Sequence, residues 1–228
     1  MEVYLKSHTK LSICAEAIRQ CWDSGSKGGC YTEPTDDLAQ TDKDLIVRII
    51  NKFKHSSTAE HLSYSFTIAG ISRACLQELA RHRMTSLSVK STRYTLTELK
   101  DEKPFVDYDY KPHEGGSITN EAWDRAKKYI VFTDEDEIDT FSIRALDNLR
   151  KAVGTYSNDK AKYCLPEAYK TSLAWTINAR SLQNFLTLRT SKSALWEIRE
   201  LAKKLYDAIP IEHRYLFEEC LYIEKTGI

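Results

Sequence analysis

One run constrains this chain more than any other. Leu62-Ser63-Tyr64-Ser65-Phe66-Thr67-Ile68-Ala69 alternates between apolar and small polar side chains along its whole length. Successive side chains of a strand point to opposite faces, so this pattern predicts a half-buried strand. Thr171 to Asn178 also favours strand, and Glu2 to Leu5 is a candidate for a short one. These strands are too few and too irregularly spaced for a regular βαβ series.

Helical spacing fills much of the rest. Leu11 to Trp22 is one helix. Thr41 or Asp42 caps a second, whose stripe of Leu45, Ile46, Ile49, Ile50 and Phe53 carries it to Phe53. Gly70 is expected to end the central strand, and Ser72 to cap a helix ending near Arg83. From there the chain reads as a loop to Arg93. Pro104 to Gly116 is loop. Thr119 to Phe132 and Glu135 to Tyr156 are polar-faced helices, and Leu165-Pro166 marks a break. Arg180 to Arg189, Ala194 to Ala208 and Ile211 to Tyr222 are helical. With no repeat and no linker-like stretch, residues 1–228 are expected to form a single domain. Its class is α/β of the α+β type, with a mixed or antiparallel sheet flanked by helices.

Several function classes are disfavoured by what the chain lacks. Lys+Arg and Asp+Glu both number 33, whereas a general nucleic-acid binder carries a basic surplus. The 8 glycines form neither a G-x-G-x-x-G nor a P-loop pattern, so any bound phosphate must be held by side chains. Cys14, Cys21, Cys30, Cys75, Cys164 and Cys220 form no C-x-x-C pair, and no histidine lies at zinc spacing from them. They read as free thiols in a reducing compartment, and no metal site is expected. Met1 to Lys10 lacks a signal-peptide run, and no apolar stretch approaches the ~18 residues of a membrane span. The expected location is the cytoplasm, with no membrane contact.

Three segments concentrate polar chemistry. His55 to His61 holds two imidazoles, three hydroxyls and one carboxylate just ahead of the central strand, and equally suits a polar turn capped by Ser57 or Thr58. Arg81 to Tyr94 gathers Arg81, His82, Arg83, Lys90 and Arg93 with Ser86, Ser88 and Ser91, and contains no acid. Helix-end carbonyls account for one of its arginines; the remaining donors suit a phosphate. In Asn178 to Arg189, Arg180, Asn184 and Leu188 fall at i, i+4 and i+8 on one stripe, and Arg189 lies about 100° from Leu188. That stripe suits either a solvated helix face or a polar ligand.

Taken together, these segments resemble the flavin-dependent thymidylate synthases. Arg81-His82-Arg83, seven residues and then Ser91 match that family's signature. Ser86, Arg93 and Tyr94 fit its extended form, and Ser88 stands where it has asparagine. His55, Ser57, Glu60 and His61 match a second motif, and Asn178 to Arg189 a third. The resemblance implies a twisted sheet with flanking helices and the methylation of dUMP to dTMP. Methylenetetrahydrofolate would supply the carbon, FAD the hydride and NADPH the reducing equivalents. It implies a homotetramer whose active sites are shared between subunits. Carried over by position, Ser57, Glu60, Arg81, His82, Arg83, Asn178, Arg180 and Asn184 would bind FAD. Glu78, Arg81, Ser91, Thr92, Arg93, Lys162 and Arg189 would bind dUMP, with His55 and Tyr94 near flavin and folate. Arg189 would be catalytic: a fixed cation beside N3 and O2 of the uracil makes C5 more nucleophilic, without any cysteine nucleophile.

Lys162 stands where the family has arginine, Ser193 where it often has histidine, and Val89 and Lys90 replace a more usual acidic or amide and aliphatic pair. These departures motivate an alternative, a related flavoenzyme acting on another pyrimidine nucleotide. A nucleic-acid-binding module is a third reading, which zero net charge disfavours.

Overall fold

The computed structural model describes residues 1–29, 31–110 and 115–222, so the thiol of Cys30 and part of the loop expected at 104–116 lie outside the described residues. In chain order the regular elements are β1 (Glu2–His8), α1 (Leu11–Cys21), α2 (Gln40–Ile46), β2 (Ser63–Ser72), α3 (Arg73–Ala80), β3 (Thr85–Val89) and α4 (Thr92–Thr95). They continue with α5 (Asn120–Ala126), α6 (Asp136–Thr155), α7 (Asn158–Ala161), β4 (Lys170–Asn178), α8 (Ala179–Arg189) and α9 (Trp196–Ala208). The strands form one antiparallel sheet in the order β1-β2-β4-β3. The α/β class and flanking helices follow the sequence reading.

Four expectations need correction. Gly70 does not end its strand. It takes a positive φ of 74°, open to a residue without Cβ, and β2 continues with Ile71 and Ser72 both buried. Ser72 does cap α3, its hydroxyl accepting the Cys75 N–H at 3.0 Å. Residues 85–89 are not loop: Thr85 and Leu87 alternate with exposed Ser86 and Ser88 as the edge strand β3. Asp42 is not a cap. It is buried inside α2, where its carboxylate accepts from Arg19, the Gly29 N–H at 2.9 Å and the Tyr31 hydroxyl at 2.7 Å. The helix then passes into a π-helical turn at Val47–Lys52. The C-terminal stretch forms two 3-10 turns, Ile211–Leu216 and Glu218–Cys220, in place of one α-helix.

The chain packs into two compact units. The first comprises Met1–Ile68, Glu78–Ser88 and the chain from Ala174 onward; the second comprises Ala69–Gln77 and Val89–Leu173. In the first, an aromatic row runs from Phe66 to Trp175 at 6.2 Å between ring centroids and from Trp175 to Phe185 at 5.2 Å. The alternation of β2 and β4 aims Phe66 and Trp175 inward, and the apolar face of α8 supplies Phe185. Burying each such side chain contributes about 1.5–3 kcal/mol. The same unit holds Asp36, whose carboxylate accepts from Lys10 at 2.8 Å and the Leu11 N–H at 2.9 Å, with His8 and His213 each 2.9 Å away. The chain's own ammonium thus supplies the cation of that cluster.

The second unit is centred on α6, whose Ile143, Leu146 and Leu149 pack with Leu96, Leu99, Phe105, Tyr129 and Tyr169. Buried Asp147 anchors it, accepting the Phe105 N–H at 3.0 Å and pairing with Arg150 and Lys151.

Candidate functional site

A cavity of about 860 Å³ opens in the first unit. Its polar lining is Glu60, Arg81, His82, Arg83, Asn178 and Arg180, with Ser181, Asn184, Arg189 and Ser193 beyond them. Four guanidinium groups and a single carboxylate face this space, so its surface is strongly donor-rich in a chain of zero net charge.

Two structural elements present the guanidinium groups, and the 3-10 turn Ser56–His61 presents Glu60. The first is α8. Asn178 caps it, its side-chain oxygen accepting the Ser181 N–H at 2.8 Å, and this fixes the first turn. Leu182, Phe185 and Leu186 are buried, which rotates the opposite stripe of Arg180, Asn184 and Leu188 outward onto the cavity. The second is the turn after α3. That helix ends at Ala80, and the Thr85 hydroxyl donates to the His82 carbonyl at 2.9 Å. Arg81 and Arg83 are thereby left exposed while His82 turns inward, its ring edge-on to Phe185 at 4.9 Å.

Arg189 lies off the exposed stripe and is held firmly. Its Nη1 donates to Glu78 Oε2 at 2.7 Å, its Nη2 to the Glu78 carbonyl at 3.3 Å and its Nε to His82 Nε2 at 3.0 Å. Only 15% of its side chain is exposed. Burial holds the His82 imidazole below its usual range, with Arg189 and Arg81 adding to the effect against the opposing pull of Glu78. The other arginines are freer. Arg81 touches Glu78 at 3.3 Å with 72% of its side chain exposed, Arg180 pairs with Glu60 at 2.6 Å, and Arg83 has no ion-pair partner among the described residues.

The residues singled out in the sequence therefore divide. Glu60, Arg81, His82, Arg83, Asn178, Arg180, Asn184 and Arg189 converge on one cavity, with Glu78 behind Arg189. Ser57 and His55 are exposed on and beside a 3-10 turn at Ser56–His61, outside the lining. That turn uses neither Ser57 nor Thr58 as a cap; the Thr58 hydroxyl donates to the His55 carbonyl at 3.2 Å. Ser91, Thr92, Arg93, Tyr94 and Lys162 belong to the second unit. There Arg93 pairs with Asp159 at 2.6 Å and its carbonyl accepts from Asn158. Met84, Ser181 and Ala194 line the cavity without having been singled out. The adjacency of Met84 to the Arg-His-Arg run and the place of Ser181 in the capped turn were the signals available.

Residues 4–211 match the family model described as thymidylate synthase complementing protein. A flavin-dependent thymidylate synthase from Wolinella succinogenes is 57% identical over 218 residues, covering 95% of this chain and 97% of the relative. One from Campylobacter jejuni is 54% identical over 223 residues, covering 97% and 98%. Among solved structures, thymidylate synthase X from Helicobacter pylori, crystallised with FAD and dUMP, is 48% identical. It superposes with a TM-score of 0.86 over 98% of this chain and 100% of its own.

Proposed function

The chain belongs to the flavin-dependent thymidylate synthase family, and from that premise we propose that it methylates dUMP reductively to dTMP. Methylenetetrahydrofolate supplies the carbon, and FAD, reduced by NADPH, supplies the hydride. The observation that carries the reading is the cavity itself. Its volume lies at the upper end of the range for ligand pockets, about 300–1,000 Å³, and its charge is supplied by arginines at the Arg81-His82-Arg83 turn and on α8. A dinucleotide with two phosphates needs side-chain cations in a glycine-poor chain, and Arg81, Arg83 and Arg180 are exposed to provide them.

In this reading Arg81, His82, Arg83, Arg180, Asn178 and Asn184, with Glu60 and Ser57, hold FAD. Glu78, Arg81 and Arg189 hold dUMP together with Ser91, Thr92, Arg93 and Lys162, and His55 and Tyr94 stand near flavin and folate. Arg189 performs the step that depends on the protein alone. Fixed beside N3 and O2, it stabilises negative charge on the ring and raises the nucleophilicity of C5. Because Arg189 is already oriented by Glu78 and His82, little reorganisation is needed when that charge develops. The exposed arginines bind and orient phosphate groups. Four of the residues assigned to dUMP, Ser91, Thr92, Arg93 and Lys162, lie in the second unit, and on the family resemblance we propose a homotetramer that shares its sites between subunits. No helix among the described residues is long and apolar enough to cross a membrane, and we place the enzyme in the cytoplasm, acting on a free nucleotide and not on nucleic acid.

The test is direct. Purified protein is expected to be yellow, dUMP to perturb its flavin spectrum, and 5-tritiated dUMP to release tritium. A colourless protein that takes up no added FAD would sink the reading. Release from dCMP in preference to dUMP would favour the alternative raised by Lys162, Val89 and Ser193.

A further inference from the structure

The contact between Arg189 and His82 joins residues 107 positions apart and fixes a protonation state. A guanidinium only donates, so the Nε2 that receives the Arg189 Nε–H at 3.0 Å carries no proton, and the imidazole proton is on Nδ1. A guanidinium has five N–H groups. On Arg189 one goes to His82, one to the Glu78 carboxylate and one to the Glu78 carbonyl. One N–H remains on each terminal nitrogen. That pair matches a planar edge with adjacent acceptors, such as the N3–C2–O2 edge of a uracil ring once N3 has given up its proton.

The two anchors differ in stiffness. Glu78 is an acyclic side chain, 29% exposed and shared with Arg81. His82 is a ring packed edge-on against Phe185, which is fully buried and packs on Trp175 in turn. Its backbone is tied at both ends, the N–H to the Leu79 carbonyl at 3.1 Å and the carbonyl to the Thr85 hydroxyl. A contact at Nε also constrains the guanidinium where it joins its chain, which contacts at the two Nη atoms alone do not.

We propose that His82 is a positioning residue for Arg189: its neutral Nε2 accepts the Arg189 Nε–H and aims the two remaining N–H groups at the pyrimidine. This rests on the role given to Arg189 above and assigns the histidine of the Arg-His-Arg turn a task separate from holding flavin. It also builds in a pH dependence. The charged groups facing the ring are Arg189 from α8, Glu78 from α3 and Arg81 from the turn. Protonation of Nε2 sets two donors against each other and breaks the contact. The positioned state therefore exists above the His82 pKa and is lost as pH falls through it.

Two substitutions separate the roles in the FAD-loaded enzyme. His82→Phe keeps a ring on Phe185 and removes the acceptor. His82→Gln keeps an acceptor of similar reach that does not titrate. At saturating FAD, His82→Phe should lower kcat for tritium release by roughly tenfold, the loss of one charge-assisted hydrogen bond, with a smaller change in KM for dUMP. His82→Gln should recover most of that loss, and the acid limb of its pH profile should disappear. Equal impairment of both variants, persistence of the acid limb in His82→Gln, or full rescue of His82→Phe by excess FAD would overturn the proposal. If the wild-type protein releases no tritium, the functional reading has failed and the contact is judged separately. Nitrogen NMR of labelled histidine should then report an unprotonated His82 Nε2 whose signal moves in Arg189→Ala; a protonated or unmoved Nε2 refutes the contact itself.

Discussion

Replacing Arg189 by alanine should separate catalysis from cofactor binding, and the structure sets the size of each effect. The side chain is 15% exposed and uses three donors on Glu78 and His82. Its loss leaves Glu78 with Arg81 at 3.3 Å and some access to water, so the stability cost is at the low end for a charged hydrogen bond, about 1–2 kcal/mol. For a chain of this size that is a fall in Tm of roughly 2–8 °C. The catalytic cost is larger, because a preoriented charge facing a developing anion is removed: about 10²–10³ in kcat. Flavin content should stay near wild type, since Arg81, Arg83 and Arg180 are untouched. Arg189→Lys keeps the charge but neither the Nε contact nor the fork, and its kcat should fall between the two. The assay is tritium release at saturating dUMP and FAD, with the flavin spectrum and Tm read on the same samples. Turnover of Arg189→Ala within about threefold of wild type would leave under 1 kcal/mol for the assigned role and refute it.

Arg81→Ala should weaken flavin and nucleotide binding together in spectral titrations, because its side chain is exposed and its one ion pair is with Glu78; unchanged affinities would reduce it to a helix-end charge. Asp42→Ala strips Arg19 of its buried partner and should cost about 3–5 kcal/mol, or roughly 6–20 °C in Tm, on calorimetry. Burial pushes the Asp42 carboxyl up, but the Gly29 N–H, the Tyr31 hydroxyl and Arg19 together outweigh it and hold the group below the usual range. Its contribution is thus full above the unfolded pKa of about 3.9 and is lost as pH falls through the lower folded value, so Asp42→Asn should flatten the acid end of the Tm profile. Residue-resolved alkylation at about pH 8 should modify the exposed Cys21 and Cys164 well before Cys14, whose thiol burial pushes up to about 12; early labelling of Cys14 would contradict its placement.

The sequence was most legible where a local signal and a tertiary demand agree. The strand preference of β2 and β4 and the Ser72 cap of α3 depend on residues close together in the chain, and each formed as its pattern requires. Asp42 misled because a carboxylate near a helix start has two uses. Capping is visible in the chain, whereas pairing with Arg19 and Tyr31 depends on where α1 and its following loop return. The strand at residues 85–89 was obscured by chemistry, since its serines read as anion donors although their alternation with Leu87 and Val89 is that of an edge strand.

The same division runs through the site. The stripe of Arg180, Asn184 and Leu188 follows from helical geometry, and the apolar face of α8 orients it toward the cavity. Arg189 does not belong to that stripe, and helical geometry alone would give it a different neighbourhood. Its place depends on Glu78 and His82, supplied by α3 and the turn after it, more than a hundred residues earlier. Arg81, Arg83 and Arg180 need little beyond exposure to meet a phosphate, and local sequence can specify exposure. A guanidinium that must present two chosen N–H groups to a ring needs its other three occupied, and only the folded chain can bring those acceptors to it. Substitutions at the exposed arginines should accordingly scale with charge, while substitutions around Arg189 should scale with how tightly its unused donors are held.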